Sequence, residues 1–253
     1  MNLRITSIPN LIDFLKKLKA VDKSVLLELT QAELFSKTHT PDKSVMKCVR
    51  VPFSQIFEGN VITGKSDRIK IGLVDVGRFI DCFKNFKTTD MVYLEIVTSD
   101  QDGETVGISL KAYTDSMKIN FRCAELGLMS YVEDNILSIV HGIDDAIGSF
   151  RLYRSDFETI DSLCSLENNA EELLEFSVSV NPHTVQAAGQ SFEYKLDIAL
   201  PDIEASEPAK LSIYKKQLDF IDLEQSMVYY HENRLIFKST EKESTIAIGL
   251  IQK

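Results

Sequence analysis

The sequence predicts an α+β protein made of two similar domains, each built from two βαβββ units. Three observations carry the prediction: an Ile-Asp pair recurs four times inside an apolar stripe of helical period, a β-prone run precedes each stripe, and alternating segments broken by turn residues follow it.

The four helical segments are Leu11-Ile12-Asp13-Phe14-Leu15, Phe79-Ile80-Asp81-Cys82-Phe83, Thr159-Ile160-Asp161-Ser162-Leu163 and Phe220-Ile221-Asp222-Leu223. The runs before them are Leu3-Arg4-Ile5, residues 69–74, Phe150-Arg151-Leu152-Tyr153 and Lys210-Leu211-Ser212-Ile213. A strand signature follows as Leu27-Glu28-Leu29, Leu94-Glu95-Ile96 and Leu174-Glu175-Phe176, with Met227-Val228-Tyr229-Tyr230 in the fourth unit. Two further strands close each unit: 32–38 and 44–51, 104–111 and 117–123, 184–188 and 191–199, and 234–239 and 244–251. The longest link between units separates the second from the third. The expected domains are therefore 1–130 and 148–253, with a connector at 131–147.

Composition narrows the function classes. The 253 residues are 44% apolar and 26% charged with both signs interspersed, as in an ordinary folded chain. A formal net charge of −10 excludes a protein that coats nucleic acid with its whole surface, while leaving room for a local basic face. No apolar run approaches the roughly 20 residues that cross a bilayer, and the N-terminus lacks a secretory pattern. The expectation is a cytoplasmic protein (host cytoplasm if viral, nuclear if eukaryotic) that does not engage a membrane. Cys48, Cys82, Cys123 and Cys164 form no C-x-x-C pair and read as reduced structural thiols.

Chemistry is thinly marked. His39, His141, His183 and His231 have no metal-ligand spacing, no G-x-S-x-G elbow occurs, and no metal, cofactor or catalytic residue is expected. Residues 59–66, Gly-Asn-Val-Ile-Thr-Gly-Lys-Ser, match the P-loop pattern G-x-x-x-x-G-K-S. That loop has to open a helix, whereas 67–72 read as a strand. The segment therefore reads as the link between units one and two, with a P-loop nucleotide-binding protein as an alternative.

The fourfold βαβββ order across nearly the whole chain resembles the DNA sliding clamps, which serve as polymerase processivity factors. The likeness is to the two-domain homotrimeric type, bacteriophage or proliferating-cell-antigen-like. It implies a ring whose helices line a central hole and whose sheets form the outer rim. It also implies the partners: double-stranded DNA held topologically and without sequence preference, a DNA polymerase, a clamp loader, and two further copies of the chain. An interaction or scaffold protein of duplicated α+β domains without DNA is the alternative from another class.

On helical wheels the expected polar faces carry Lys16, Lys17, Lys19 and Lys23, then Arg78, Lys84 and Lys87, then Arg154, then Lys215 and Lys216. The four stretches 10–23, 75–87, 153–165 and 214–225 hold ten basic and ten acidic residues, so the remainder carries the whole negative charge. The first two stretches are net positive and the last two net negative, which assigns DNA contact mainly to the first domain. In isolation a solvated amphipathic face is the better explanation of such lysines; the fourfold repeat raises the DNA-facing reading above it.

The resemblance further implies an apolar peptide pocket at Val45, Leu126, Leu128, Met129, Leu250 and Ile251, with core packing as the competing reading for each residue. For ring closure, the strand carrying Ile119 and Phe121 is expected to pair with an edge carrying Val185 and Ala187 of the next chain.

Overall fold

Ser7 begins the first helix: its side chain accepts a hydrogen bond from the Asn10 amide at 3.3 Å, and Pro9 fits the first turn, where amides lack partners in any case. In this computed structural model all residues are described except 63–65, 88, 130, 135–139, 141, 166–172, 190–194, 199–203, 206, 223–224, 240–243 and 252–253. The chain divides into two compact units, Met1–Pro41 with Cys48–Val132, and Asp42–Lys47 with Glu133–Lys253. The short segment Asp42–Lys47 thus belongs with the second unit, which the sequence-based boundary at 130 did not anticipate.

Unit 1 contains β1 (Asn2–Ile5), α1 (Ile8–Lys19), β2 (Val25–Leu29), β3 (Glu33–His39) and β4 (Val45–Pro52), which it shares with the second unit. These are followed by β5 (Phe57–Glu58), β6 (Ile69–Leu73), α2 (Val76–Phe83), β7 (Val92–Gln101), β8 (Glu104–Tyr113) and β9 (Lys118–Arg122). Within the unit the strand order is β4-β3-β2-β6-β8-β7-β1-β5, with β9 also on β8. Asp75 caps α2 by accepting from the Arg78 amide at 2.9 Å. Leu11, Phe14, Leu15 and Leu18 of α1 share one core with Val76, Phe79, Ile80 and Phe83 of α2 and with the strands beneath them. Burying such side chains contributes about 1.5–3 kcal/mol each, enough to hold short helices that would not persist alone.

Unit 2 contains β10 (Gly148–Leu152), α3 (Arg154–Ser165), β11 (Leu173–Val180), β12 (His183–Gly189), β13 (Lys195–Ile198), β14 (Glu204–Ala205) and β15 (Ala209–Tyr214). A 3-10 turn (Lys215–Phe220) leads to β16 (Ser226–Tyr230), β17 (Arg234–Ser239) and β18 (Ser244–Gly249). Its strand orders are β14-β10-β16-β17-β18 and β13-β12-β11-β15. Phe150, Phe157, Phe176, Tyr230 and Phe237 fill its core.

Both units pair their strands by one rule. In unit 1 the strand before each helix pairs with the first strand after the other helix, β1 with β7 and β6 with β2. In unit 2 the same exchange joins β10 to β16 and β15 to β11. Two repeats interlocked in this reciprocal way give each unit an internal pseudo-twofold arrangement; the strand exchange recurs in both units, and three of the four repeats expected from sequence carry an α-helix while the fourth carries a 3-10 turn in its place.

One element departs from expectation. Residues 214–225 were read as a helix, but the chain makes only the 3-10 turn and is extended by Ile221, at φ −81 and ψ 132. The Lys47 ammonium takes the Phe220 carbonyl at 2.9 Å, and the Ile221 amide bonds back to Leu218 in 3-10 fashion.

Lys65 of the P-loop-like segment and His141 lie outside the described residues. Past that segment the Ser66 hydroxyl accepts the Thr105 amide, and the chain enters β6 without a helix, so the P-loop context is missing. Among the described residues no helix is long and apolar enough to cross a membrane. Cys48, Cys123 and Cys164 are buried and Cys82 is half-buried, all four as free thiols; burial pushes the Cys48 and Cys123 thiols up to about 12.

Candidate functional sites

The expected basic face in unit 1 is solvent-exposed at Lys16, Lys19, Lys23, Arg78, Lys84 and Lys87, with Lys17 partly covered. A local acid tempers one of these. Lys84 bonds Asp81 at 2.7 Å, and this bond holds the Asp81 carboxyl below its usual range. Lys19 lies across Gly77 of α2, where an added Cβ would sit 3.0 Å from Lys19 Cε, and Asp75 Oδ1 borders the same spot. Glycine at 77 therefore lets α1 and α2 approach with the lysine stem between them.

In unit 2 the equivalent surface is weaker. Arg154 is tied to Glu158 at 2.8 Å, and the exposed side of α3 adds Asp161. Lys216 is exposed, with its ammonium 5.2 Å from the Tyr214 ring centre, and Lys215 is half-buried on the 3-10 turn. The helix expected to display these two lysines is replaced by that turn.

The expected pocket residues separate. Val45 is fully buried in the unit 2 core, because side chains alternate along β4 and its neighbours Ser44 and Met46 take the opposite direction. Ser44 and Met46 line a cavity of about 190 Å³ with Lys43, Asn233, Arg234, Ala247, Ile248 and Gly249. Leu250 packs against the core, its amide bonded to the Asn233 carbonyl, and the Ile251 amide bonds Ser212. Neither lines that cavity. Sequence reading missed Lys43, Asn233 and Arg234 because turns on separate strands bring them together; no local pattern marks such a meeting.

In unit 1, Met129 is buried against Gly72, where an added Cβ would meet the Ala124 carbonyl at 2.9 Å and Met129 Cγ at 3.2 Å. Met129 therefore anchors the start of the connector to β6. Leu126 lines a separate cavity of about 510 Å³ with Gln101, Asp102, Glu104, Val106, Glu125 and Gly127. The Leu128 side chain lies outside the described residues.

The expected edge strands need one correction. β9 pairs only with β8 among the described strands, and its Ile119 and Phe121 point into the core while Lys118, Asn120 and Arg122 face solvent. Val185 and Ala187 lie on β12, which is paired on both sides, by β11 and by β13, and both side chains are buried. The described edges of that sheet are β13 and β15. The expectation placed the edge at Val185 and Ala187, on the inner strand of the hairpin formed by 184–188 and 191–199, because alternation does not say which strand is outermost. Among the described residues no group of three His, Cys, Asp or Glu side chains stands ready for a metal.

No family model and no curated protein sequence matches this chain. Solved structures do match over its whole length. The Proliferating Cellular Nuclear Antigen of Entamoeba histolytica superposes with a TM-score of 0.71 at 12% identity, covering 99% of this chain and 98% of that one. The PCNA of A. fulgidus, solved with the C-terminal region of FEN-1, gives 0.69 at 15% identity with both chains fully covered. The Helicobacter pylori beta clamp, solved with a DNA ligase peptide, gives 0.66 at 14% identity, covering 100% of this chain and 67% of that one.

Proposed function

We propose, from the clamp fold that this chain shares with those proteins, that it is a sliding clamp: a non-enzymatic ring that encircles duplex DNA and tethers a DNA polymerase to it. The observation that carries the reading is the reciprocal strand exchange in both units, in a chain that superposes on the PCNA structures from end to end. The basic face of α1 and α2 supports the DNA-facing assignment, since clustered ammonium groups in an acidic chain mark where phosphates are tolerated. Contacts to phosphate carry no sequence information, and weak, salt-screened ones let a ring slide.

Ring closure follows from strand edges. β9 in unit 1 and β13 in unit 2 each leave a backbone edge open among the described strands. Joining β9 of one protomer to β13 of the next is a heterologous contact, which closes when the rotation allows. Three copies close this ring. As in the neighbours solved with FEN-1 and a ligase peptide, short segments of replication proteins, polymerase and loader included, dock on the protomers.

Light scattering over a concentration series tests the ring. The expected plateau is three times the 28.6 kDa chain mass. A mass of one chain at every concentration overturns the reading.

A further inference from the structure

We infer that the solvent-facing side of the β1-β7-β8-β9 sheet in unit 1 is a nucleic-acid site separate from the α1 and α2 faces, one that holds an unpaired strand by stacking a base on Tyr93 and pairing its phosphates with Lys118 and Arg122. Leu3, Leu94 and Leu110 of these strands point into the core shared with α1 and α2, so the alternate residues stand on the opposite side. Register places Arg4, Tyr93, Tyr113 and Lys118 in one row across the four strands. Three strand spacings of about 4.8 Å separate its ends, which gives a row roughly 14 Å long with two aromatic rings between two cations. Lys111 on β8 and Arg122 on β9 share the same side by alternation.

The rings are arranged to extend a stack. Tyr93 and Tyr113 lie 5.6 Å apart between ring centres, with planes 26° from parallel. Lys111 stands 5.2 Å from the Tyr113 ring centre, and Asn2 Nδ2 donates to the Tyr113 hydroxyl at 2.7 Å, so Tyr113 is held in place. Among the described residues no further ring or cation stands over Tyr93, and a base continuing the stack there is the contact that single-strand sites use. The charges are equally available. Lys118 and Arg122 are exposed, with no acid within ion-pair distance among the described residues. Arg4 and Lys111 meet Glu58 at 3.0 Å and Glu95 at 2.6 Å, in exposed pairs that hold little free energy. The hydrogen bond from Lys111, then its charge, the N-terminal ammonium and Lys118 keep the Glu95 carboxyl below its usual range, so the field is positive even at an acid. In a chain of net charge −10 this is a local reversal of sign. Paired bases present no ring face to Tyr93, and an acidic peptide needs the cations without the rings, so the combination favours an unpaired strand. Edge pairing of β9 engages backbone groups and leaves these side chains, which stand perpendicular to the sheet, uncovered. The inference goes beyond the ring reading and does not require it, because the whole face lies in one protomer.

The test uses the full-length protein at low salt and two fluorescein-labelled probes read by anisotropy: an oligothymidylate of about 12 nucleotides, within the range of single-strand sites, and an abasic strand of equal length and charge. The oligothymidylate is expected to bind at least about fivefold more tightly, the low end for one stacked base. Tyr93→Leu brings that ratio close to one and Tyr93→Phe keeps it, which separates a lost stack from a disturbed fold. The Lys118→Ala, Arg122→Ala double variant weakens both probes. It also flattens the slope of log affinity against log salt by about 1.4, from two phosphates at about 0.7 each on a single strand. Reversing Lys16 and Lys23 to Glu leaves the ratio unchanged, because the α1 face offers phosphates no ring beside them. Equal binding of the two probes, no binding of either, a ratio that survives Tyr93→Leu or is lost with Lys16 and Lys23, or a salt slope unaltered by the double variant overturns the inference and leaves the ring reading standing. A glutamate-rich peptide of the same charge that binds as tightly as the oligothymidylate assigns the face to an acidic protein segment and overturns it as well.

Discussion

Lys47 places an ammonium that is 1% exposed against Asp222 at 2.8 Å and the Phe220 carbonyl at 2.9 Å, and Asp222 in turn accepts from Ser244 at 2.6 Å. Removing one member of a buried pair strands the other. Lys47→Met is therefore expected to cost about 3–5 kcal/mol in urea denaturation, and the Lys47→Met, Asp222→Leu double variant to recover part of that loss. A single variant as stable as wild type contradicts the description of this pair. His231 makes a separate prediction about pH. Its buried imidazole, 3.7 Å from Asp145, is held below its usual 6.5 by burial first and by Arg234 second. The unfolded chain takes up a proton near 6.5 and the folded chain resists it, so the contribution is complete above that pH and is lost as pH falls through it toward the folded value. Denaturation midpoints between pH 7.5 and 5.5 are expected to fall less in His231→Gln than in wild type.

Elements show which parts of the sequence were legible. The 3.6 and 2.0 periodicities located α1, α2, α3 and most strands, because each buries one face and the pattern records which. The fourth helix was not legible as a turn, since the Lys47 contact at its end comes from a residue 173 positions away. The outermost strand was hidden for a related reason: alternation reports faces, not which backbone edge stays unpaired. Amide hydrogen exchange tests the corrected edges. Assembly is expected to slow exchange in β9 and β13 and to leave β12, already paired on both sides, unchanged. Protection gained in β12 alone would restore the earlier pairing. Among the helices, exposed Lys16 and Lys23 differ from Lys84, which Asp81 already engages. Reversing Lys16 and Lys23 to Glu is expected to lower polymerase processivity severalfold, and Lys84→Glu to lower it less, with unfolding midpoints little changed because exposed positions contribute little stability. Equal effects from both variants would remove the distinction.

For the whole molecule, the negative charge and the proposed DNA-directed role are compatible only when retention comes from topology. A chain of net −10 gains little from coating a polyanion, whereas a closed ring needs only enough local positive charge to keep phosphates from being repelled. The basic faces of α1 and α2 supply that charge in unit 1, and α3, with Glu158 and Asp161 exposed, does not supply it in unit 2. In the proposed ring, phosphate contact is accordingly expected to alternate from unit to unit. Lys-to-Glu reversals on α1 should lower the salt sensitivity of DNA retention, because fewer phosphate contacts release fewer counterions, and acid-to-Lys reversals on α3 should raise it.

Topological retention is open to direct measurement without a loader. The protein is threaded at high concentration onto linear duplex DNA biotinylated at both ends, the ends are capped with streptavidin, and the sample is diluted into about 0.5 M salt, where phosphate contacts are screened. The account predicts that protein persists on capped DNA and runs off uncapped DNA of the same sequence. Equal release from both would contradict it.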